Sequence, residues 1–293
     1  MVSWLRRRRD AALDARLVWI FGSPRSGSTW LLELLAEHDE VVPVNEPQLG
    51  SHLAPIMADW PGVHPDDLSG ENFTWPRLAA GVETYFFCER HAGVWRPRLA
   101  ELIRARFRVH ARGSALLAIK EPNGTQAADL ILGALPRSRL LFLLRDGRDV
   151  VDSELDAYTR GSWMSKRYPA IRGLEPSQRM DFIVQSAHKW LWRTELCEEM
   201  MRTHPGPRHQ VRYEELRREP ATVLAQVFEW LGLAPRNAGA IADRHAFEHV
   251  PERGPGEFHR AASPGGWREH LSAAEQAELE RIVGAKVREL GYA

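Results

Sequence analysis

Two stretches of the sequence carry residues whose types and spacing suit the handling of an anion. The first is Gly22-Ser-Pro-Arg-Ser-Gly27-Ser28-Thr29. It has the skeleton of a phosphate-binding loop, in which backbone N–H groups cradle the anion and a hydroxyl follows the second glycine. Ser28 stands where a nucleotide triphosphatase carries the lysine that reaches the β- and γ-phosphates, which argues against ordinary ATP or GTP hydrolysis. Arg25, inside the loop, offers a positive charge in its place. The second stretch runs from Leu140 to Ser153. An apolar run delivers Arg145 to the carboxyl end of a strand, where α/β sheets bind ligands, and Ser153 follows about two helical turns on. That pair suits a second phosphate. The bland alternative is an arginine pairing with Asp146 or Asp149 at a helix start. A magnesium role for Asp146 has little support without the loop lysine.

These residues need elements to position them. Leu17 to Phe21 is a short apolar run ending at Gly22 and reads as a buried strand. Ser28 to Leu35 reads as a helix with its leucines on one face. Further strands are expected at 115–119, 139–144 and 209–212. Further helices are expected at 126–135, 147–158, 178–201, 220–231 and 273–290. Gly232 and Gly291 serve as stop signals after the last two. Strands alternating with helices predict an α/β fold: a P-loop-like central parallel sheet flanked by helices, in a single domain. A 1–16 N-terminal extension precedes the 17–293 domain, and about 48–112 is an insertion on the acceptor side. Thr159 to Ser177 is a second irregular stretch, and such stretches are binding loops or plain surface.

Composition narrows the function classes. The 293 residues carry 39 Lys plus Arg against 39 Asp plus Glu, so a nucleic-acid binder working by bulk positive charge is disfavoured. With 44% hydrophobic and 27% charged residues, the chain reads as globular. No apolar run approaches the roughly 20 residues of a membrane span. Cys88 and Cys197 form neither a disulfide framework nor a metal-ligand spacing, which suits a reducing cytoplasm. Arg6 to Arg9 is followed by charged residues rather than by the apolar core of a secretory signal. It reads as a solvated extension, with contact to an anionic membrane surface as the sharper alternative. His245 and His249 sit four apart, but no third ligand accompanies them and no metal is expected.

Taken together, the motifs resemble sulfotransferases that use 3′-phosphoadenosine 5′-phosphosulfate (PAPS). Ser23-Pro-Arg-Ser-Gly-Ser-Thr-Trp30 resembles their 5′-phosphosulfate loop, and Leu144 to Ser153 their 3′-phosphate motif. Val211-Arg-Tyr-Glu-Glu-Leu216, with Phe228 to Leu233, is similar to the segment after a later strand. Arg260 to Leu271 is similar to the late loop of the cytosolic members. The resemblance implies a bacterial-type enzyme with an arginine, Arg25, where cytosolic members carry the lysine that contacts the sulfuryl group. It implies that Pro24, Ser26, Gly27, Ser28 and Thr29 bind the 5′-phosphate and that Trp30 stacks on adenine, with Tyr213 nearby. It implies that Arg145, Ser153 and Arg260 hold the 3′-phosphate, although Ala261-Ala262 departs from the family's Lys-Gly.

Sulfuryl transfer to a hydroxyl is an in-line displacement that needs positioning, charge stabilisation and a base. Glu46, after Val41-Val-Pro-Val-Asn45 at a sheet edge, resembles the glutamate base of several carbohydrate and bacterial members. Glu121, in Lys120-Glu121-Pro122, is its rival. Lys120 is expected to bind the sulfuryl group or to orient Glu46. The acceptor class is a small molecule, sugar or lipid. Aromatics such as Trp60, Phe73, Trp75, Tyr85, Phe86, Phe87 and Trp95 line an apolar pocket for it or belong to the core. A P-loop kinase, or a non-catalytic nucleotide-binding module lacking the loop lysine, is the alternative.

Overall fold

The structure, a computed structural model, describes residues 9–54, 86–168, 173–246 and 264–292. Its strands are β1 (Leu17–Phe21), β2 (Val41–Asn45), β3 (Leu116–Lys120), β4 (Arg139–Leu144) and β5 (Arg208–Arg212). They form one sheet in the order β2-β3-β1-β4-β5, with every pair parallel. The order reverses at β1, which lies between β3 and β4. Ligands of open α/β sheets bind at such a switch point, beyond the carboxyl ends of the strands.

The helices are α1 (Ser28–Ala36), α2 (Leu49–Leu53), α3 (Ala92–Arg108), α4 (Ala128–Ala134), α5 (Gly147–Tyr158), α6 (Trp163–Arg167), α7 (Arg179–Thr203), α8 (Tyr213–Arg218), α9 (Pro220–Leu231), α10 (Ala238–Arg244), α11 (Trp267–His270) and α12 (Ala273–Glu289). A 3-10 turn, Pro122–Ala127, precedes α4. It takes up the start of the helix expected at 126–135.

The strands read as continuous apolar runs because both faces of the sheet are covered. Leu17, Trp19 and Phe21 of β1 face one core, with α3, α4, α5, α7 and α12 over it. Val18 and Ile20 face the other, under α1, α8, α9 and α10. The split follows the two-residue period of a strand. In β2, Val41 and Val44 are buried while Pro43 and Asn45 are exposed. Pro43 is tolerated because β2 pairs only with β3 and forms the sheet edge.

Helix ends follow the expected chemistry. Pro220 opens α9 and a left-handed Gly232 closes it. Ser272 and Glu275 form a reciprocal capping box at the start of α12.

Segment 48–112 divides into parts. Residues 55–85, with Trp60, Phe73, Trp75 and Tyr85, lie outside the described residues. Residues 92–108 form α3, which lies in the core through Trp95, Leu99, Ile103 and Phe107. Trp95 and Phe87 therefore belong to the core, and Phe86 is 80% exposed. The N-terminal extension is docked where it is described: Asp10 and Asp14 pair with Arg108 and Arg104 of α3.

Candidate functional site

Each strand delivers a site residue at its carboxyl end. Residues 22–27 leave β1, Glu46 leaves β2, Lys120 ends β3, Arg145 leaves β4 and Tyr213 leaves β5. A parallel sheet makes this convergence inevitable, because all its strands end on the same edge.

The loop after β1 is shaped by its glycines. Gly22 has φ 148°, and a Cβ there would lie 2.3 Å from the Leu143 carbonyl oxygen. Gly27 has φ 88°, and its Cβ would lie 2.5 Å from the Tyr213 ring. No larger residue fits either place without displacing a neighbour. Thr125 locks the loop base, accepting from Gly22 N at 3.0 Å and donating to Gly22 O at 2.7 Å. Gly27 is the N-cap of α1 and no side chain caps that helix, so its first N–H groups face the loop with the positive end of the helix dipole.

Arg25 has φ 65°, a left-handed conformation that costs a non-glycine residue about 1–3 kcal/mol. Three groups hold it there. Its Nε donates to Ser153 Oγ at 3.1 Å, Arg145 donates to its carbonyl at 2.7 Å, and its guanidinium lies 5.6 Å from the Trp163 ring centre. The loop arginine and both residues of the Leu140–Ser153 stretch thus meet in one place.

Arg145 also lies over the Tyr213 ring, at 4.5 Å. It pairs with neither Asp146 nor Asp149 by hydrogen bond. Asp146 binds Arg148 at 2.8 Å, and Asp149 accepts from Gly265 N at 2.8 Å. Among the described residues the buried Arg145 Nε and Ser23 Oγ have no hydrogen-bond partner. Buried donors in that state fit a site built for an anion.

The carboxylate side is equally connected. Glu46, with φ 42°, accepts from Lys120 Nζ at 2.8 Å, Asn123 Nδ2 at 3.2 Å and Gln48 Nε2 at 3.4 Å. Lys120 is 3% exposed and Glu46 31%. The same Nζ donates to Thr29 Oγ1 at 2.9 Å, so one ammonium ties the anion loop to the carboxylate. Gln48 is a third strained residue, at φ 61°.

Glu121 occupies a different position. It is buried, and its oxygens accept from Gln48 N at 3.1 Å and Gly50 N at 3.2 Å. Burial pushes its carboxyl up to about 7, against the pull of those two N–H groups.

A cleft of about 600 Å³ joins these parts. Arg25, Thr29, Trp30, Glu46, Arg145, Ser153 and Tyr213 line it, as do Pro24, Gly27 and Ser28 of the loop. Ser26, Lys120 and Glu121 lie behind the lining. Trp30 meets Tyr213 edge-on at 6.5 Å, and its Nε1 donates to the His245 carbonyl at 2.9 Å.

Residues 264–270 roof the cleft. They are moored to α5 by Asp149 and by Asp152, which contacts His270 Nδ1 at 3.0 Å. Burial raises the Asp149 carboxyl above its ordinary value. Arg260 lies outside the described residues, as does His249. His245 pairs with Glu37 at 3.0 Å, and no cluster of three or more metal-ligating side chains occurs among the described residues.

Sequence reasoning missed Gln48, Asn123, Tyr158, Trp163 and His270, all of which line the cleft. Asn123 and Gln48 follow the two candidate carboxylates closely. The turn residues around a carboxylate at a strand end were the signal available.

Comparison with known proteins bears on the fold and the family. The model described as "Sulfotransferase family" matches residues 18–236. The structure of mouse sulfotransferase SULT7A1 complexed with PAP is similar at 12% identity, covering 94% of this chain and 85% of that one, with a TM-score of 0.55. Sulfotransferase STF9 from Mycobacterium avium is similar at 14% identity, covering 99% and 81%, with a TM-score of 0.51. A comparison with curated protein sequences finds no match.

Proposed function

The chain belongs to the sulfotransferase family, and from that premise we propose that it transfers a sulfuryl group from PAPS to a hydroxyl of a small-molecule, sugar or lipid acceptor. The observation that carries this reading is the single cleft in which a loop arginine and a lysine-held carboxylate converge. PAPS supplies the sulfuryl group and a phosphate leaving group. The N–H groups of Ser26, Gly27, Ser28 and Thr29 hold the 5′-phosphate, helped by the dipole of α1, and Pro24 shapes the loop that presents them. Arg145 and Ser153 hold the 3′-phosphate, with Arg260 as a further contact. Trp30 and Tyr213 flank the adenine.

Arg25 serves the reacting group. Its guanidinium stays charged and offers forked donors to developing negative charge. Glu46 takes the proton from the acceptor hydroxyl. Lys120 orients that carboxylate, and its second bond to Thr29 fixes the base relative to the loop. Glu121 braces the turn that carries Gln48 and Gly50. We place the reaction in the cytoplasm, in keeping with two buried free thiols, Cys88 and Cys197.

Calorimetry tests the reading directly. The protein is expected to bind 3′-phosphoadenosine 5′-phosphate tightly without added metal, and Mg-ATP weakly. A preference for Mg-ATP would instead support the kinase alternative. With PAPS and an acceptor panel, sulfated product should form and should vanish in Arg25→Ala while that variant still binds nucleotide. Nucleotide binding with no product from any acceptor would leave a binding module.

A further inference from the structure

We infer that Tyr292, in the turn after α12, is a positioning residue for the nucleotide: through Glu214 it fixes the strand end that carries Arg145. This rests on the sulfotransfer reading above, in which Arg145 holds the 3′-phosphate. Arg145 and Asp146 form the junction between β4 and α5. The last pairing of β4 with β5 sets Leu144 opposite Arg212. Asp146 comes after it and is the N-cap of α5, so its amide lies beyond the sheet ladder and ahead of the helical bonds. Glu214 supplies the acceptor that neither element provides. Asp146 N donates to its Oε1 at 2.9 Å. The other oxygen of the same carboxylate, Oε2, accepts from the Tyr292 hydroxyl at 3.1 Å.

The carboxylate is held by both bonds. Burial raises the Glu214 carboxyl above its ordinary value, against the pull of the Asp146 amide, Arg145 and the Tyr292 hydroxyl. A carboxylate oxygen taken from water and left without a donor is costly. Removing the Tyr292 hydroxyl therefore frees Glu214 to turn toward water and to release Asp146.

Tyr292 is itself fixed. Gly291, left-handed at φ 77°, turns the chain after α12, and Tyr292 N donates to the Val287 carbonyl at 2.9 Å. Arg212, the last residue of β5, lies over the Tyr292 ring at 4.4 Å, and both its terminal nitrogens donate to the Leu290 carbonyl at 3.0 Å. Arg212, Tyr213 and Glu214 are consecutive in the chain. The first grips the turn, the second lines the cleft beneath Arg145, and the third joins the turn to the Asp146 amide. The junction has a second anchor on α7, where Trp190 Nε1 donates to the Arg145 carbonyl at 3.2 Å. With that anchor intact, loss of the hydroxyl shifts the junction rather than unfolding it, and the loss of affinity is graded.

The test uses the full chain, with 3′-phosphoadenosine 5′-phosphate as the probe. Tyr292→Phe keeps the ring over Arg212 and removes only the hydroxyl. Calorimetry should show affinity lowered by about three- to tenfold, the factor of one net hydrogen bond. With PAPS, the KM for the nucleotide should rise by the same factor while the acceptor KM stays constant. Glu214→Gln can still accept from Asp146 N and should keep most of the affinity, whereas Glu214→Ala should lose it. Adding Tyr292→Phe to Glu214→Ala should change nothing further, because the relay is already cut. Lys286→Ala breaks the pairs of α12 with Glu198 and Glu289. It should lower stability and leave nucleotide affinity as in the parent. Unchanged affinity in Tyr292→Phe, additive losses in the double variant, or an equal loss in Lys286→Ala overturns the inference. In the nucleotide-free chain, hydrogen exchange of the Asp146 amide should be faster in Tyr292→Phe, and equal rates likewise overturn it. A parent chain that binds no 3′-phosphoadenosine 5′-phosphate, while Tyr292→Phe still speeds that exchange, would sink the sulfotransfer reading and leave the brace standing.

Discussion

In the reading proposed above, Arg25 divides a nucleotide side from an acceptor side, and the two are built on different plans. On the nucleotide side, backbone does much of the work. The loop 22–27 runs directly into the uncapped start of α1, and its geometry is set by glycines that no other residue can replace. On the acceptor side, side chains do it. Glu46, after β2, meets Lys120 at the end of β3 and Asn123 in the turn that follows only in the folded chain. Backbone recognition suits a ligand that never changes. Side-chain recognition changes by single substitutions, which suits a family in which one donor serves many acceptors.

Two substitutions sharpen this contrast. The largest effect is expected at Glu46. Glu46→Gln keeps the shape of the side chain but removes the proton acceptor, and should lower turnover by about 10²–10⁴-fold. Nucleotide affinity, measured by calorimetry, should stay nearly constant. Full activity in Glu46→Gln together with a dead Glu121→Gln would transfer the base to Glu121. Next comes Arg145→Ala, on the nucleotide side. It should weaken binding of 3′-phosphoadenosine 5′-phosphate by about 2–5 kcal/mol, as when a buried charge pair loses one partner. Because Arg145 also donates to the Arg25 carbonyl, turnover at saturating PAPS should fall as well. Unchanged affinity in Arg145→Ala would remove this residue from the nucleotide site and erase the distinction between the two sides.

The same contrast explains what was legible in the sequence. The strand–loop–helix opening, β4 with Arg145, α5 and α9 lie where the apolar runs and glycines put them, because local pattern and tertiary role agree there. β3 and β5 differ from expectation by a single residue at their ends. The pairing of Arg25 with Ser153 was not legible, since it joins positions separated by 128 in the chain. Nor was α3, whose four-residue apolar spacing is interrupted by Pro97 and many arginines, although its buried face is Trp95, Leu99, Ile103 and Phe107. The overall balance of 39 cations and 39 anions likewise gave no sign that Arg25 and Arg145 line one cleft.

The smallest effect concerns Glu121, which underlies the acceptor side without lining it. Its carboxyl is raised from 4.5 to about 7, chiefly by burial. Between those values the folded chain retains a proton that the unfolded chain has released. Stability from this group is therefore present at low pH and declines as pH rises through about 7. Glu121→Gln mimics the protonated form at every pH. Its melting temperature relative to the parent should rise between pH 5 and pH 8, by the equivalent of roughly 2–3 kcal/mol, since one pKa unit corresponds to roughly 1.4 kcal/mol. Parallel pH profiles for the two proteins would show that Glu121 stays ionised throughout, held by the N–H groups of Gln48 and Gly50. In that case the brace beneath the acceptor side is an ionic one, and Glu121→Gln should loosen Gln48 and raise the acceptor KM at every pH.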